Sequence, residues 1–247
     1  MLSDRMVAAG HKLFRWRSYL LFAFLPLFLW AVWDGEAIET RWGYGVGEAV
    51  EWLAIGLLAL GEALRILTVG FVPRGTSGRN TTGQVAESVN TTGLYSVTRN
   101  PLYLGNCMMY VGLALYTQHL WIVAVLILVL ALYYERIIAA EESFLTTKFG
   151  AAYTDWAAVT PPFWPRLSGF TPPSMGFSVR TVIRREHASF LGAFAALYLL
   201  ELGLHSLPAN SEPMPGWWHW ALAVAVVLEI IVVVIKRKTH VLEVDGR

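Results

Sequence analysis

Long apolar segments limit the folds that this sequence can adopt. The segment from Leu120 to Tyr134 contains no charged residue, and a second apolar segment runs from Trp217 to Leu228. About 20 predominantly apolar residues suffice for an α-helix to cross the hydrocarbon core of a bilayer. Only 15% of all residues are charged, whereas soluble domains carry about 25%. The sequence therefore predicts an all-α integral membrane protein with the lipid bilayer as its surroundings.

About six transmembrane helices are expected, and the third and fourth of them form a hairpin. Only Thr117 and Gln118 separate these two apolar segments, a connection length typical of tight antiparallel helical hairpins. The hairpin is expected over 101–140. Because the first apolar segment starts late and lacks a small-residue cleavage site, we expect a membrane helix there rather than a signal peptide. The expected helices span 18–33, 46–70, 101–116, 119–140, 187–205 and 217–235.

Lysine and arginine residues predict the orientation of these helices, because loops rich in them stay in the cytoplasm. Basic residues precede the first helix, occupy the loops 71–100 and 141–185, and follow the last helix. The loops on the other side contain Arg41 alone. Both termini and both long loops are therefore expected to face the cytoplasm. The basic residues of these segments include Lys12, Arg15, Arg17, Arg74, Arg79, Arg99, Lys148, Arg166, Arg180, Lys236, Arg237 and Lys238.

Charge and cysteine content narrow the range of partners. The formal net charge is +1, and no stripe of basic and aromatic residues indicates nucleic-acid binding. The single cysteine, Cys107, cannot form an intramolecular disulfide or a thiolate zinc site. The expected partners therefore include no nucleic acid and no metal.

Several ionisable residues lie inside the expected membrane helices, and the second helix alone contains Glu48, Glu51, Glu62 and Arg65. Glu62 and Arg65 stand three residues apart, which is the spacing of a side-chain pair on one helix face. Glu201 and Glu229 also lie in apolar segments, and the sequence does not explain them.

Polar residues at the ends of the hairpin indicate a ligand site. An Arg-Asn-Pro turn, 99–101, begins the third apolar segment, and a glutamate pair, 141–142, follows the fourth. Pro101 suits the first position of a helix, and the free amides of a first helical turn bind anions. Charged groups placed against membrane helices are costly and usually functional. The sequence therefore predicts a binding site where both ends of the hairpin meet.

These residues resemble the C-terminal motif of the isoprenylcysteine carboxyl methyltransferase and phospholipid methyltransferase superfamily. The family motif reads Gly-x-Tyr-x-x-x-Arg-His-Pro-x-Tyr-x-Gly, followed by Glu-Glu and then Phe-Gly-x-x-Tyr. The corresponding segments are 93–105, 141–142 and 149–153, with Asn100 at the position of the usual histidine. The resemblance covers roughly residues 70 to 167.

The resemblance implies a methyltransferase that depends on S-adenosyl-L-methionine and holds it in a cytoplasmic pocket. It divides the chain into N-terminal membrane helices (1–70), a methyltransferase core (71–167) and a C-terminal extension with two membrane helices (168–247). Arg99 and Glu142 are implied to be catalytic. The implied cofactor-binding residues are Tyr95, Arg99, Asn100, Pro101, Tyr103, Leu104, Gly105, Glu141, Glu142 and Tyr153.

Several residues of this region have more than one possible role. Asn100 cannot change charge near neutral pH, so histidine-like acid–base chemistry is not expected at that position. Gly105 permits the close approach of either a ligand or a neighbouring helix. Trp156, Phe163 and Trp164 suit either an adenine slot or the membrane interface.

The expected acceptor is a membrane lipid that carries a phosphate. Arg184, Arg185 and His187 introduce the fifth helix and are the expected substrate-binding residues. Arginine forks match phosphate oxygens, and basic clusters at the membrane surface attract anionic headgroups. The stretch 76–105 also resembles lipid A phosphate methyltransferases. A prenylcysteine carboxylate and a phospholipid amine are the alternative acceptors.

Two other classes of function are compatible with a helical membrane protein. Sterol reductases, which use the nicotinamide cofactor NADPH, resemble this sequence in the hairpin and in the tyrosine-rich segment after it. The glutamates 141–142 beside Arg99 favour a zwitterionic donor over a pyrophosphate, which calls for more cations. A transporter or scaffold would place polar residues along a path through the helices, whereas here they gather on one side.

Overall fold

The computed structural model describes residues 2–16, 19–73, 86–208 and 213–247. Within these ranges the chain is helical, and its one β-bridge joins Gly93 to Thr171. The stretch 76–80, which contributes to the lipid A resemblance, lies outside the described residues. The α-helices are α1 (Leu2–Trp16), α2 (Leu20–Ala23), α3 (Leu25–Asp34), α4 (Ala37–Trp42), α5 (Tyr44–Phe71), α6 (Pro101–Tyr116), α7 (Leu120–Phe149), α8 (Ala151–Val159), α9 (Val179–Leu204) and α10 (Trp217–Lys238).

The predicted all-α membrane class is confirmed. Among the described residues, the helices α5, α7, α9 and α10 are long and apolar enough to cross a bilayer. The other two expected spans correspond to shorter helices, α3 with 10 residues and α6 with 16. The first expected span is divided at Phe24, since Pro26 lacks an N–H and its ring prevents an unbroken helix.

The predicted hairpin is present as α6 and α7, joined by Thr117, Gln118 and His119. The turn requires the left-handed backbone of Gln118, whose φ is 60°. The Gln118 side chain accepts from the Glu39 amide at 2.8 Å and donates to Glu51 at 3.0 Å. Polar groups therefore also meet at the end of the bundle opposite the Arg-Asn-Pro turn, so they do not gather on one side as the sequence suggested.

Two helices extend beyond their predicted ends. The helix α7 continues to Phe149, so the glutamates 141–142 lie within its last turns rather than after it. The helix α9 begins at Val179, where the Ser178 side chain accepts from the Thr181 amide, so the basic cluster at 184–187 is helical. Apolar content marks the lipid-facing part of a helix, and it misses an amphipathic continuation outside the bilayer.

Small residues bring α5 and α6 into close contact. A Cβ atom on Gly105 would lie 2.8 Å from both the Gly61 carbonyl oxygen and Cγ of Arg65. A Cβ atom on Gly61 would lie 2.6 Å from the Gly105 carbonyl oxygen. Glycine pairs of this kind let helix backbones approach closely in membranes. The contact places the start of α6 against the last turns of α5.

We expect Gly105→Ala to destabilise the protein. The added methyl group meets a backbone carbonyl that cannot rotate away, so α5 and α6 must separate, at a cost of about 1–3 kcal/mol. Thermal melting of the purified protein in detergent measures the change in Tm. Gly56→Ala on α5 is the matched control, because nothing lies within 4 Å of its Cβ position. Equal Tm values for the two variants would show that the glycine contact does not limit stability.

Candidate functional site

The Arg-Asn-Pro turn is held in place by the segment that follows α8. Residues 97–100 lie beside residues 161–166, and proline carbonyls accept two of the four connecting hydrogen bonds. This pairing fixes the backbone of Arg99 directly before α6 begins. The hydrogen bonds join Arg99 N to Pro161 O (2.9 Å), Thr98 Oγ1 to Phe163 O (2.8 Å), Asn100 Nδ2 to Pro162 O (2.8 Å) and Arg166 N to Val97 O (2.9 Å).

A half-buried ion pair stands at the entrance of α6. Arg99 Nη1 lies 2.8 Å from Glu142 Oε1, and the two side chains are 15% and 30% exposed. The Tyr153 hydroxyl interacts with the same guanidinium. Burial, aided by the Glu142 carboxylate and opposed by Arg99, raises the pKa of Tyr153 to about 12. Tyr153 therefore remains a neutral hydroxyl at physiological pH.

The two adjacent glutamates take different partners. Glu142 pairs with Arg99, whereas Glu141 Oε1 accepts from the Tyr103 hydroxyl at 2.7 Å. The Tyr103 ring lies 4.8 Å from the ring of Tyr134. Neighbouring positions on a helix point in different directions, so the pair covers two sides of one site. The structure thus brings Arg99, Tyr103, Glu141, Glu142 and Tyr153 together.

Two buried donors in and beside this cluster lack a partner in the part of the chain that the structure describes. Among the described residues, neither Nε of Arg99 nor Nε1 of Trp156 has a hydrogen-bond acceptor. The Trp156 ring lies 5.6 Å from the ring of Tyr153. Buried donors in folded proteins nearly always have a partner. Both donors are therefore candidate contacts for a bound ligand.

The remaining predicted cofactor residues have structural contacts. Pro101 and Leu104 are buried at the start of α6, and Tyr95 lies in a short 3₁₀ turn before it. The Asn100 side chain donates to the Pro162 carbonyl. Of the two readings of Gly105, the contact with a neighbouring helix accounts for this glycine. These residues shape and support the site, and their roles toward a cofactor stay predictions.

The predicted substrate-binding residues contact α10 and the segment after it. His187 Nδ1 lies 2.8 Å from Glu229 Oε1, which explains the glutamate in the apolar part of α10. Lys236 Nζ lies 3.2 Å from His187 Nε2. Arg184 Nη2 lies 3.8 Å from Glu243 Oε1, and Arg185 is half-buried nearby on α9. These contacts run to α10 and the C-terminal segment rather than to the Arg99 cluster.

The sequence did not predict the buried ion pair between α5 and α9. Arg65 Nε donates to Glu186 Oε2 at 3.0 Å, and Arg65 Nη1 donates to the Asn106 side chain. The expected partner Glu62 is farther away, at 3.8 Å. Asn106 also hydrogen-bonds Tyr134. The network therefore connects four helices and ends at Tyr134, whose ring lies beside that of Tyr103 in the Arg99 cluster. A glutamate at the start of an apolar helix was the available signal for it.

Comparison with known proteins agrees with the motif. Residues 50–152 match the phospholipid methyltransferase family (PEMT). The chain is 34% identical over 161 residues to the nickel-cobalt-cadmium resistance protein NccN of Alcaligenes xylosoxydans xylosoxydans, covering 63% of this chain and 73% of that protein. The chain belongs to the phospholipid methyltransferase family.

A second relative has a similar level of sequence identity. The cobalt-zinc-cadmium resistance protein CzcN of Cupriavidus metallidurans (strain ATCC 43123 / DSM 2839 / NBRC 102507 / CH34) is 32% identical over 160 residues. The alignment covers 64% of this chain and 65% of CzcN. No solved structure matches the chain.

The family match covers most of the site and ends just before Tyr153 and Trp156 of α8. It extends through α5, α6 and α7 and ends within α8, so it includes Arg99 and both glutamates. The helices α9 and α10 lie outside it. Family membership and the four apolar helices together support a membrane methyltransferase that acts on lipids.

Proposed function

We propose that this phospholipid methyltransferase family member transfers a methyl group from S-adenosyl-L-methionine to a lipid phosphate. The observation that carries the proposal is the cluster of Arg99, Glu142 and Tyr153 at the start of α6, with buried donors beside it. A cation, two carboxylates and aromatic rings together match the groups of a zwitterionic nucleoside. A pyrophosphate cofactor would call for more cations than this cluster contains.

The residues present fit the proposed cofactor. Arg99 and the free amides at the start of α6 suit its carboxylate. Glu141 and Glu142 suit its ammonium group or ribose hydroxyls. Tyr153 and Trp156 provide ring faces for the adenine, and Nε1 of Trp156 provides a donor. When bound there, the cofactor supplies an electrophilic methyl group.

The chain's own residues have a positioning role in this proposal. Methyl transfer needs donor, methyl and acceptor in line, with water excluded. A phosphate oxygen is already a nucleophile at neutral pH, so no general base is required. Asn100 is consistent with a reaction that needs no general base. Its amide donates to the Pro162 carbonyl and cannot change its protonation near neutral pH. Arg99 would offset the negative charge beside the attacking oxygen.

A phosphate acceptor is also consistent with the relatives, which are named as metal resistance proteins. Methylation turns an anionic phosphate oxygen into a neutral ester. Negative lipids lower the surface potential and concentrate cations at the membrane, so the ester would reduce the local concentration of divalent metal ions. Arg184, Arg185 and His187 remain the proposed residues for holding the headgroup. A prenylcysteine carboxylate and a phospholipid amine remain the alternative acceptors.

We expect the purified protein to bind S-adenosyl-L-methionine and its demethylated product, S-adenosylhomocysteine. Titration calorimetry in detergent measures both affinities, with NADPH as the competing candidate. Arg99→Ala should weaken both, because it removes the cation of the pocket. Clear binding of NADPH without binding of either sulfur compound would exclude the methyltransferase proposal and favour a reductase.

We expect labelled methyl groups to appear on a lipid phosphate. The assay combines labelled S-adenosyl-L-methionine, the protein and separate vesicles containing phosphatidic acid, phosphatidylethanolamine or a prenylcysteine analogue. Label on the ethanolamine nitrogen or the prenylcysteine carboxyl, and never on phosphate, would refute the acceptor. The same assay with sealed membranes tests orientation, because a site on the cytoplasmic side is reached only in inverted vesicles.

A further inference from the structure

A large apolar groove lies between α5 and α9 and is closed at one end by the start of α10. Its volume is about 660 Å³, within the roughly 300–1,000 Å³ typical of ligand sites. Its walls include Ile55, Ala59, Phe194 and Leu197. The helices α9 and α10 lie outside the family match. The groove therefore needs α9 and α10 in addition to α5, and no residue of the Arg99 cluster lines it.

The part of the groove that α5 and α9 enclose has the length of one acyl chain. On α9 it extends from Phe190 to Glu201, which is about 17 Å at 1.5 Å per residue. Half of a hydrocarbon core of about 30 Å is close to this length. Trp52 and Phe190 at its edges are 65% and 58% exposed, so the groove is open on the side where a membrane would supply lipid.

One end of the groove is negatively charged. Glu48, Glu51 and Glu201 line it there, and in the part of the chain that the structure describes none of them pairs with a lysine or arginine. Glu51 accepts from Gln118 at 3.0 Å, and Glu201 accepts from the Tyr116 hydroxyl at 2.5 Å. Glu201 Oε1 also lies 3.3 Å from His205 Nε2, and Glu51 also hydrogen-bonds the Glu36 carboxyl. Four carboxyl groups therefore meet one histidine at this end, and the excess negative charge is available to a cation.

The charged end lies at a membrane surface away from the proposed active site. Tyr116 ends α6 and Pro101 begins it, so the carboxylates lie about 24 Å from the Arg99 turn along that helix. Trp52 and Trp217 line the same end, and tryptophan favours the level of the lipid headgroups. An amphipathic ligand would therefore place its headgroup here and its chain along the apolar walls.

We propose that the groove binds a phospholipid whose headgroup carries a cationic amine. The lipid belongs to the leaflet at the charged end of the groove. One acyl chain fills the space between α5 and α9, and the ammonium group lies against Glu48, Glu51 and Glu201. An anionic headgroup would be repelled by these carboxylates. The bound lipid would also join the C-terminal helices to the methyltransferase core.

The test measures lipid retention by the full-length protein, and it does not depend on methyl transfer. Delipidated protein in detergent is mixed with equal amounts of dioleoyl phosphatidylethanolamine and dioleoyl phosphatidylglycerol, and native mass spectrometry counts the bound lipids. We expect the amine lipid to predominate. Ala59→Trp fills the groove and should abolish this binding. Leu60→Trp is the matched control, since Leu60 is exposed on α5 and does not line the groove.

A charge variant separates headgroup recognition from chain binding. Glu48→Gln should weaken retention of the amine lipid about fivefold, the factor that one charge contributes near a membrane surface, and should raise the binding of phosphatidylglycerol, which one carboxylate fewer repels. Ala63→Trp, also in the groove, replaces Ala59→Trp if that variant does not fold. Equal retention of both lipids by the wild-type protein would overturn the proposal, as would equal binding by the Ala59→Trp and Leu60→Trp variants.

Discussion

Replacing Arg99 with alanine is expected to lower methyl transfer by roughly 30-fold to 5,000-fold, since losing one partner of a desolvated charge pair costs about 2–5 kcal/mol. The guanidinium contacts both Glu142 and Tyr153, so its removal also releases those two side chains. Labelled methyl transfer to lipid vesicles measures the loss. Arg99→Lys should not restore activity, because a lysine cannot provide two directed contacts from one planar group.

The control for this experiment is Arg136→Ala. Arg136 lies on α7 at 34% exposure and 3.7 Å from Glu135, outside the proposed site. The Arg136→Ala variant should keep wild-type activity. Its melting temperature should equal that of the Arg99→Ala variant. Wild-type activity in Arg99→Ala would mean that this arginine serves packing or membrane orientation and not the reaction.

Glu142→Gln is expected to cause a loss of similar size. The substitution keeps the shape of the side chain and removes its charge, so Arg99 loses its ion-pair partner and the proposed cofactor loses a carboxylate for its ammonium group. Cofactor affinity, measured by titration calorimetry, should therefore fall together with the transfer rate. Glu135→Gln on the same helix, 56% exposed, is the matched control and should have no effect.

The double variant Arg99→Ala/Glu142→Gln tests whether the two residues act as a unit. Residues in direct contact show non-additive effects, so the double variant should be little worse than either single variant. Losses that multiply would mean that the two side chains contribute independently, which would contradict a shared site.

The membrane class and the hairpin could be predicted from the sequence because both depend on local properties. Apolar segments of sufficient length specify membrane helices in any context. A connection of two to three residues makes α6 and α7 antiparallel neighbours. Helix ends were less predictable, as α7 and α9 show, because their amphipathic continuations carry no strong apolar signal. The division at Phe24 could have been foreseen from Pro26.

Part of the candidate site was also predictable. Arg99, Glu141 and Glu142 were found from a motif. The hairpin explains why the start of α6 lies beside the last turns of α7. Their assignment to a cofactor stays a prediction. The role of Asn100 in holding the Pro162 carbonyl could not be foreseen, since it depends on where the chain returns after α8.

Contacts between distant segments required the folded structure. Arg65 and Glu186 are 121 positions apart, and no local pattern indicates that α9 packs against α5 at that height. The same holds for the groove, whose walls and carboxylates come from α5, α6, α9 and α10. Residue type and spacing reflect whether a segment contacts lipid or water, so they specify helices and turns. Which helix faces share a surface depends on side-chain packing summed over the whole bundle, as with the glycine contact between α5 and α6.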